Sequence, residues 1–286
     1  MSHIYRPTEI ESYIRCGLKH HYEVMLDKKP SYHNWPKVRG TITHETIFHG
    51  LEFFDEAWKA AIRECGDVPI LASEEAMQKD RPMMIEQVAN ILHYIGRQGI
   101  DIIDKEVNLK WEVGPYKFQG TVDAFCVMPD TPEDMVEIID YKSGVKWAKP
   151  ALDRKIQFGL YWYGAKQNEL NVNRMFWVHT KDFNLYKTTG KKARKGEMKG
   201  QGFYPIEIKE SDMPVLKEWV MGACWAMEHD VKLPAEGGPN SPCNNCEFGE
   251  QCPKYETGLI ETHGLDVSLK RQEEMEAKFM EGDSNG

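Results

Sequence analysis

The chain has 286 residues, 41% hydrophobic and 28% charged, with eight Trp, enough apolar material to fill a substantial core and too much for a disordered polymer. No window approaches about eighteen consecutive apolar residues, which excludes a membrane-spanning helix, and the start Met1-Ser2-His3-Ile4 lacks an apolar signal core, so a cytoplasmic location is expected. A net charge of −9 argues against a uniformly basic nucleic-acid coat, and seven Cys in a non-secreted chain point to a metal or cluster site rather than to disulfides.

Thr8-x-x-Glu11 reads as a capping box ahead of an apolar stripe at Ile10, Ile14, Leu18 and Tyr22, which predicts a helix over 8–26. After a polar, Lys- and Pro-containing loop (27–40), a second helix is expected over 41–64, with His44, Phe48, Leu51 and Phe54 near one face. A third is expected over 74–98, with Pro82 setting or kinking its start. The period then changes. Val107, Leu109, Trp111 and Val113 alternate with charged and polar residues, a strand signature, and Gly114-Pro115 marks a turn. The return strand, 116–128, places Lys117, Gln119, Thr121 and Asp123 on one face and Tyr116, Phe118, Val122 and Cys126 on the other. A third strand over 135–142 ends at Ser143-Gly144. Beyond it the pattern predicts a helix over 150–168, a strand over 172–180, a strand pair at 183–188 and 203–208 around a basic loop, and a helix over 212–230. This order describes an α/β core with helical and Cys-rich additions at its two ends.

The stretch richest in chemistry is Gly120-Thr-Val-Asp123, followed by Glu137-Ile-Ile-Asp140-Tyr-Lys142-Ser-Gly144. Residues two apart on a strand share a face, so Asp140 and Lys142 project together, and Asp123 from the preceding strand can converge on them. Two hard oxygen ligands suit Mg²⁺ or Mn²⁺, and an adjacent ammonium can orient a water and stabilise charge on a phosphate. Read alone, Asp-x-Lys is a surface ion pair at a strand end. Gln157 and Tyr161, four apart on the following helix, can point one way toward the same place.

Together these elements resemble the RecB-like branch of the PD-(D/E)XK nuclease superfamily: Gly-x-x-Asp (120–123), Asp-Tyr-Lys-Ser-Gly (140–144) and Gln-x-x-x-Tyr (157–161). Upstream, Arg39-Gly40-Thr-Ile-Thr-His44-Glu45 resembles the helix that carries this branch's metal-binding His, and Glu106 resembles a further acidic position. The resemblance implies a restriction-endonuclease-like core, a mixed central sheet flanked by helices, over residues 100–232. A helical region (1–99) would precede it, and a Cys-rich segment (233–265) and a charged tail (266–286) would follow, all in one integrated structural domain. It further implies that His44, Asp123, Asp140 and the carbonyl of Tyr141 ligate Mn²⁺ or Mg²⁺. Lys142 would assist the water nucleophile, and Gln157 and Tyr161 would orient the site. His44 by itself also reads as a buried helix histidine bonded to a carboxylate.

Cys243-x-x-Cys246 and Cys252-Pro253 form a thiol cluster one ligand short of a closed site, with Cys16 near the start as the fourth candidate. This spacing resembles the iron–sulfur staple of some RecB-like nucleases, among them the AddB subunit and the CRISPR-associated adaptation exonucleases. The resemblance implies that Cys16, Cys243, Cys246 and Cys252 hold a [4Fe–4S] cluster. Spacing alone serves a Zn(Cys)₄ site equally well. Cys65, Cys126 and Cys224 read as packed small hydrophobes. The run from Lys187 to Lys199, including Lys191, Lys192, Arg194 and Lys195, is either a DNA-binding loop or a solvated hairpin tip. Trp147, Trp162 and Tyr163 are candidates for base stacking or for the core.

The expected function is a metal-dependent deoxyribonuclease. An exonuclease acting on single-stranded ends is what the resemblance implies, in recombination, repair, phage replication or CRISPR adaptation and beside a recombination or integration protein. The other reading is a catalytically silent DNA-end-binding or scaffold subunit that keeps the fold.

Overall fold

A computed structural model of the protein describes residues 3–144, 155–183, 202–231, Cys243, 246–248 and Cys252. The chain opens with a two-residue strand β1 (Ile4–Tyr5) and helix α1 (Pro7–Arg15). The capping box is not at Thr8/Glu11: the carboxylate of Glu9 accepts the Arg6 N–H, because Pro7 starts the helix earlier. The single helix expected over 8–26 is broken at Cys16, whose backbone is extended, into α1, a short α2 (Gly17–His20) and a π-turn over His21–Met25.

A short β2 (His33–Asn34) leads into α3 (Trp35–His49), which begins earlier than the apolar pattern indicates because Pro36 sits in its first turn. Gly50, at φ 107°, ends α3, so the helix expected over 41–64 is two helices, with α4 running Phe54–Glu64. A short β3 (Ile70–Leu71) pairs with β2 in parallel. Helix α5 (Glu74–Arg97) is capped by the Ser73 hydroxyl and carries Pro82 in its interior rather than at its start.

The alternation at 107–113 belongs to a longer strand, β4 (Asp101–Val113), which pairs along its length with β5 (Tyr116–Val127). There follow β6 (Val136–Lys142), α6 (Ile156–Gln167), β7 (Val172–His179), β8 (Phe203–Ile206) and α7 (Met213–Glu228). At 183 the expected strand is instead the end of a 3₁₀ turn, Thr180–Phe183. The remainder of that expected strand, the basic run 187–199, Trp147, the first residues of the helix expected over 150–168 and the tail 266–286 lie outside the described residues.

The six-stranded sheet is mixed. β5 lies antiparallel to β4 on one edge; on its other edge β1 pairs near Lys117–Phe118 and β6 near Ala124–Cys126. β6 and β7 are parallel, and β8 closes the sheet antiparallel to β7. One face is packed by α1, α6 and α7 around Phe118, Val122, Ile138 and Trp177; the other by α3 and α5 around Ala124, Cys126, Ile139 and Val178. The strand alternation in β5 therefore slips at Asp123: Val122 and Phe125 belong to the first core, Ala124 and Cys126 to the second. The single-face assignment of Cys126 with Phe118 and Val122 fails for this reason. Helix α6 is buried on nearly every side, lying between the sheet and α1 and α7, which its almost wholly apolar and small composition permits. Among the described residues no helix is long and apolar enough to cross a membrane.

Candidate active site

The site forms where β5 and β6 part. Their ladder runs Cys126↔Glu137, Phe125↔Ile138, Ala124↔Ile139 and stops there, one step before Asp123 would face Asp140. In place of a strand bond, the Asp123 carboxylate accepts the Tyr141 N–H at 2.7 Å. The separation leaves the Tyr141 carbonyl free to turn toward α3, where His44 Nε2 lies 2.6 Å from it and 3.4 Å from Asp123 Oδ2. Gly40, one turn before His44, lets α3 approach this strand end: a Cβ there would sit 3.0 Å from Ser143 Oγ.

Glu106 completes the group. It stands on β4 between the pairs Lys105↔Ala124 and Val107↔Val122, opposite Asp123, with a φ of 52°. A non-glycine residue in this left-handed region costs roughly 1–2 kcal/mol, a strain that clusters at functional sites. His44, Glu106 and Asp123 each offer a ligand atom, all within 4.8 Å of one another. Partial burial of the Glu106 carboxyl, then the Asp123 charge, raise its pKa above the ordinary carboxylate range. Beside the group, a cleft with an apolar wall of Ile47, Leu92, Ile95 and Ile102 opens to the surface.

Asp140 and Lys142 project from β6 toward the α6 layer. The Lys142 ammonium donates to Asp140 Oδ1 at 2.7 Å, and the Gln157 amide approaches the same oxygen at 3.5 Å. Asp140 Oδ2 is buried and has no hydrogen-bond partner among the described residues. Burial pushes the Asp140 carboxyl up to about 6, against the pull of Lys142. Burial works to lower the Lys142 pKa, but the Asp140 and Asp123 carboxylates outweigh it and hold the ammonium above its ordinary range. Burial and then Asp140 likewise keep the Tyr161 phenol neutral, and its oxygen accepts from Gln157 at 3.3 Å. The Tyr161 ring crosses β5 above Gly120, where a Cβ would lie 2.8 Å from Tyr161 Cε1; glycine is required there for close approach of helix to strand.

The donor chemistry fits a hard divalent cation. Carboxylates, a backbone carbonyl and an imidazole converge, and a buried carboxylate oxygen is left without a partner, which ordinary packing avoids. A sequence comparison then decides the family: residues 7–253 match the model of the PD-(D/E)XK nuclease superfamily. The chain belongs to that superfamily. Its members use divalent metals such as Mg²⁺ or Mn²⁺, and the mixed sheet flanked by helices is their fold. Among solved structures, the chain is similar to a candidate exonuclease from Eubacterium rectale at 11% identity and a TM-score of 0.48, with 89% of this chain and 87% of that one covered. No curated protein matches the chain.

In this PD-(D/E)XK chain the residues singled out in sequence fall into two bonded sets that adjoin along β6: His44, Tyr141 and Asp123 on the α3 side, and Asp140, Lys142, Gln157 and Tyr161 on the α6 side. Two further residues had weaker signals. Glu106 is separated from the motifs, and only its register opposite Asp123 places it among the donors. Glu11, read as a capping residue, instead accepts the Gln157 N–H at 3.2 Å and faces Lys155 Nζ at 3.4 Å, fixing the start of α6. Trp162 is buried and belongs to the core.

The thiols fall into two sets by burial. Cys65, Cys126 and Cys224 are buried, whereas Cys16, Cys243, Cys246 and Cys252 are half-buried. Burial raises the Cys246 pKa, and the neighbouring Cys16 and Cys243 thiols add to it, so residues from the two ends of the chain meet. Tyr32 donates to the Cys246 carbonyl, and Ser31 to that of Glu247, docking the Cys-rich segment on the N-terminal helices.

Proposed function

We propose that the protein is a metal-dependent deoxyribonuclease of the RecB-like branch, hydrolysing phosphodiesters from single-stranded DNA ends. The observation that carries this reading is the convergence of His44, Glu106 and Asp123 beside a buried, unpartnered Asp140 oxygen and a Lys142 ammonium. His44, Asp123, Asp140 and the Tyr141 carbonyl are the metal ligands in this reading, with Glu106 as a further donor. A divalent ion held there supplies Lewis acidity toward the phosphate and lowers the pKa of a bound water.

The chain's own groups do the rest. Lys142, beside the Asp140 and Asp123 carboxylates, orients the attacking water or a phosphate oxygen and offsets negative charge. Gln157 keeps Asp140 oriented, and Tyr161 fixes Gln157 in turn. The four half-buried cysteines hold a [4Fe–4S] cluster that staples the first helix to the C-terminal segment. Residues 1–99, 100–232, 233–265 and 266–286 act as one integrated unit. Its setting is recombination, repair, phage replication or CRISPR adaptation, beside a recombination or integration protein.

The test is to incubate wild type and Lys142→Ala with end-labelled single- and double-stranded DNA in Mn²⁺, Mg²⁺ or EDTA. Metal-dependent degradation lost in the variant, and faster on single strands, is the expected result. Binding without cleavage under every metal would overturn the nuclease reading in favour of a silent end-binding subunit.

A further inference from the structure

An acidic chain must meet a polyanion through local positive charge. Because β6 and β7 are parallel, their C-terminal ends open on one rim, the place where open α/β sheets bind ligands. Lys142 and His179 are partners in register, and beyond them the chain continues as Ser143-Gly144 on one strand and as the Thr180–Phe183 turn on the other. His179 ties the two exits together: its Nε2 lies 3.0 Å from the Gly144 carbonyl oxygen and its Nδ1 3.2 Å from Asp182. Helix α3 reaches the same rim at Gly40, packed against Ser143, and the residue before it is Arg39.

Two cations stand at this rim, Arg39 beside Gly40 on α3 and Lys181 in the turn after His179. The Arg39 guanidinium, almost buried, pairs with Asp80 at 3.0 Å, and Trp35 Nε1 donates to the same carboxylate oxygen at 2.8 Å. Lys181, half-buried in the 3₁₀ turn, has no ion-pair partner among the described residues. Burial, and then the charge of Arg39, hold its ammonium below the ordinary lysine range, with Asp80 opposing. One carboxylate, Asp80, therefore answers two partly buried cations, and the excess positive charge makes this rim favourable for an arriving anion.

We propose that Lys181, with the guanidinium N–H groups of Arg39 other than the one given to Asp80, seats a backbone phosphate of the DNA strand on the rim next to Lys142. The seat rests on the reading of the neighbouring site as a nuclease centre. Lysine serves phosphate as a point charge, and the arginine fork, anchored through one N–H by Asp80, adds direction. Such a contact positions the strand without reading its sequence.

The test is the salt dependence of binding of a fluorescein-labelled single-stranded oligonucleotide to the full chain in EDTA, with cleavage in Mn²⁺ measured separately. Lys181→Gln is expected to weaken binding roughly tenfold and to lower the slope of log K against log salt by about 0.7, one phosphate's share on a single strand. Lys181→Arg should restore most of both. Lys59→Gln, which removes an exposed lysine on α4, should change neither. An unchanged slope in Lys181→Gln overturns the seat, as does an equal loss in Lys59→Gln, which would mark a general field. Should Lys181→Gln fail to fold, protection of wild-type Lys181 from acetylation by bound DNA, read by mass spectrometry, decides: an unprotected Lys181 overturns it. Cleavage by wild type with an unaltered slope in Lys181→Gln removes the seat and leaves the nuclease. A lowered slope with no cleavage under any metal removes the nuclease and leaves the seat. A wild type that binds no DNA removes both.

Discussion

The carboxylate of Glu11 accepts the backbone N–H of Gln157 at 3.2 Å, across 146 residues of sequence. It does so in the first turn of α6, where helix N–H groups lack partners within the helix and a negative charge is favourable. One side chain on the first helix therefore sets the start of the helix that carries Gln157 and Tyr161, and Lys155 adds a second tie at 3.4 Å.

Removing that carboxylate should cost about 1 kcal/mol of stability, the usual value of a helix N-terminal acceptor, and should let Gln157 shift against Asp140. Glu11→Ala is expected to lower cleavage roughly tenfold, the effect typical of losing a group that orients a metal site, with little change in DNA affinity. Glu11→Gln, which keeps an acceptor oxygen, should recover most of the rate. Steady-state cleavage and oligonucleotide binding on the three proteins check this. Equal rates in Glu11→Ala and wild type would mean that sheet packing alone holds α6.

Gly120 offers a sharper steric test. A methyl group there meets Tyr161 at 2.8 Å and Pro7 and Trp111 at 3.1 Å, all within the core between β5, α1 and α6. Overpacking of this kind costs about 1–3 kcal/mol. Gly120→Ala should therefore shift the urea midpoint downward and displace the Tyr161 ring from Gln157. Gly66→Ala, with nothing near the added Cβ but a φ of 57°, separates backbone strain from this clash: it should destabilise by about 1 kcal/mol and leave cleavage alone.

These two glutamate and glycine positions mark what sequence patterns reveal and what they hide. Asp140 and Lys142 were legible because strand periodicity places them on one face, and Gln157 and Tyr161 because helical spacing does; Asp123 sits where the β5 alternation slips, so the motif resemblance rather than periodicity joined it to them. Glu106 was hard to rank because its membership depends on β4–β5 register and on a left-handed backbone, neither written in local spacing. Glu11 was misread because a capping box and a long-range acceptor use the same residue type; Pro7 moved the helix start and released Glu11 for α6. The breaks at Cys16 and Gly50 escaped the apolar pattern because an amphipathic stripe can run through two helices in line as easily as through one.

Glu106 and His44 make a paired prediction about metal. If both contribute donors beside Asp123, Glu106→Gln and His44→Ala should each weaken Mn²⁺ binding by about tenfold or more, measured by titration calorimetry without DNA. Asp104→Asn, two residues from Glu106 on the same strand and outside the donor group, should bind Mn²⁺ as wild type does. Because Glu106 sits at φ 52°, Glu106→Gly is expected to stabilise the strand while still losing metal affinity, the opposite signs expected where strain serves a site. Wild-type Mn²⁺ affinity in Glu106→Gln would place Glu106 among ordinary strand residues.

The cysteines test the staple. Cys16 and Cys246 approach each other from opposite ends of the chain, so any ion or cluster bridging them closes a very long loop and stabilises the fold by constraining the unfolded chain. Anaerobically purified protein is expected to be brown and to contain iron and acid-labile sulfide. Cys16→Ser should lose the colour and melt at a lower temperature. Cys65→Ser should do neither, because that thiol is buried and donates to the Ala61 carbonyl, one helical turn back. Stoichiometric zinc without visible absorption would replace the cluster by a Zn(Cys)₄ site. Unaltered melting in Cys16→Ser would show that hydrogen bonds from Ser31 and Tyr32 to the Cys-rich segment hold the two ends together without a metal.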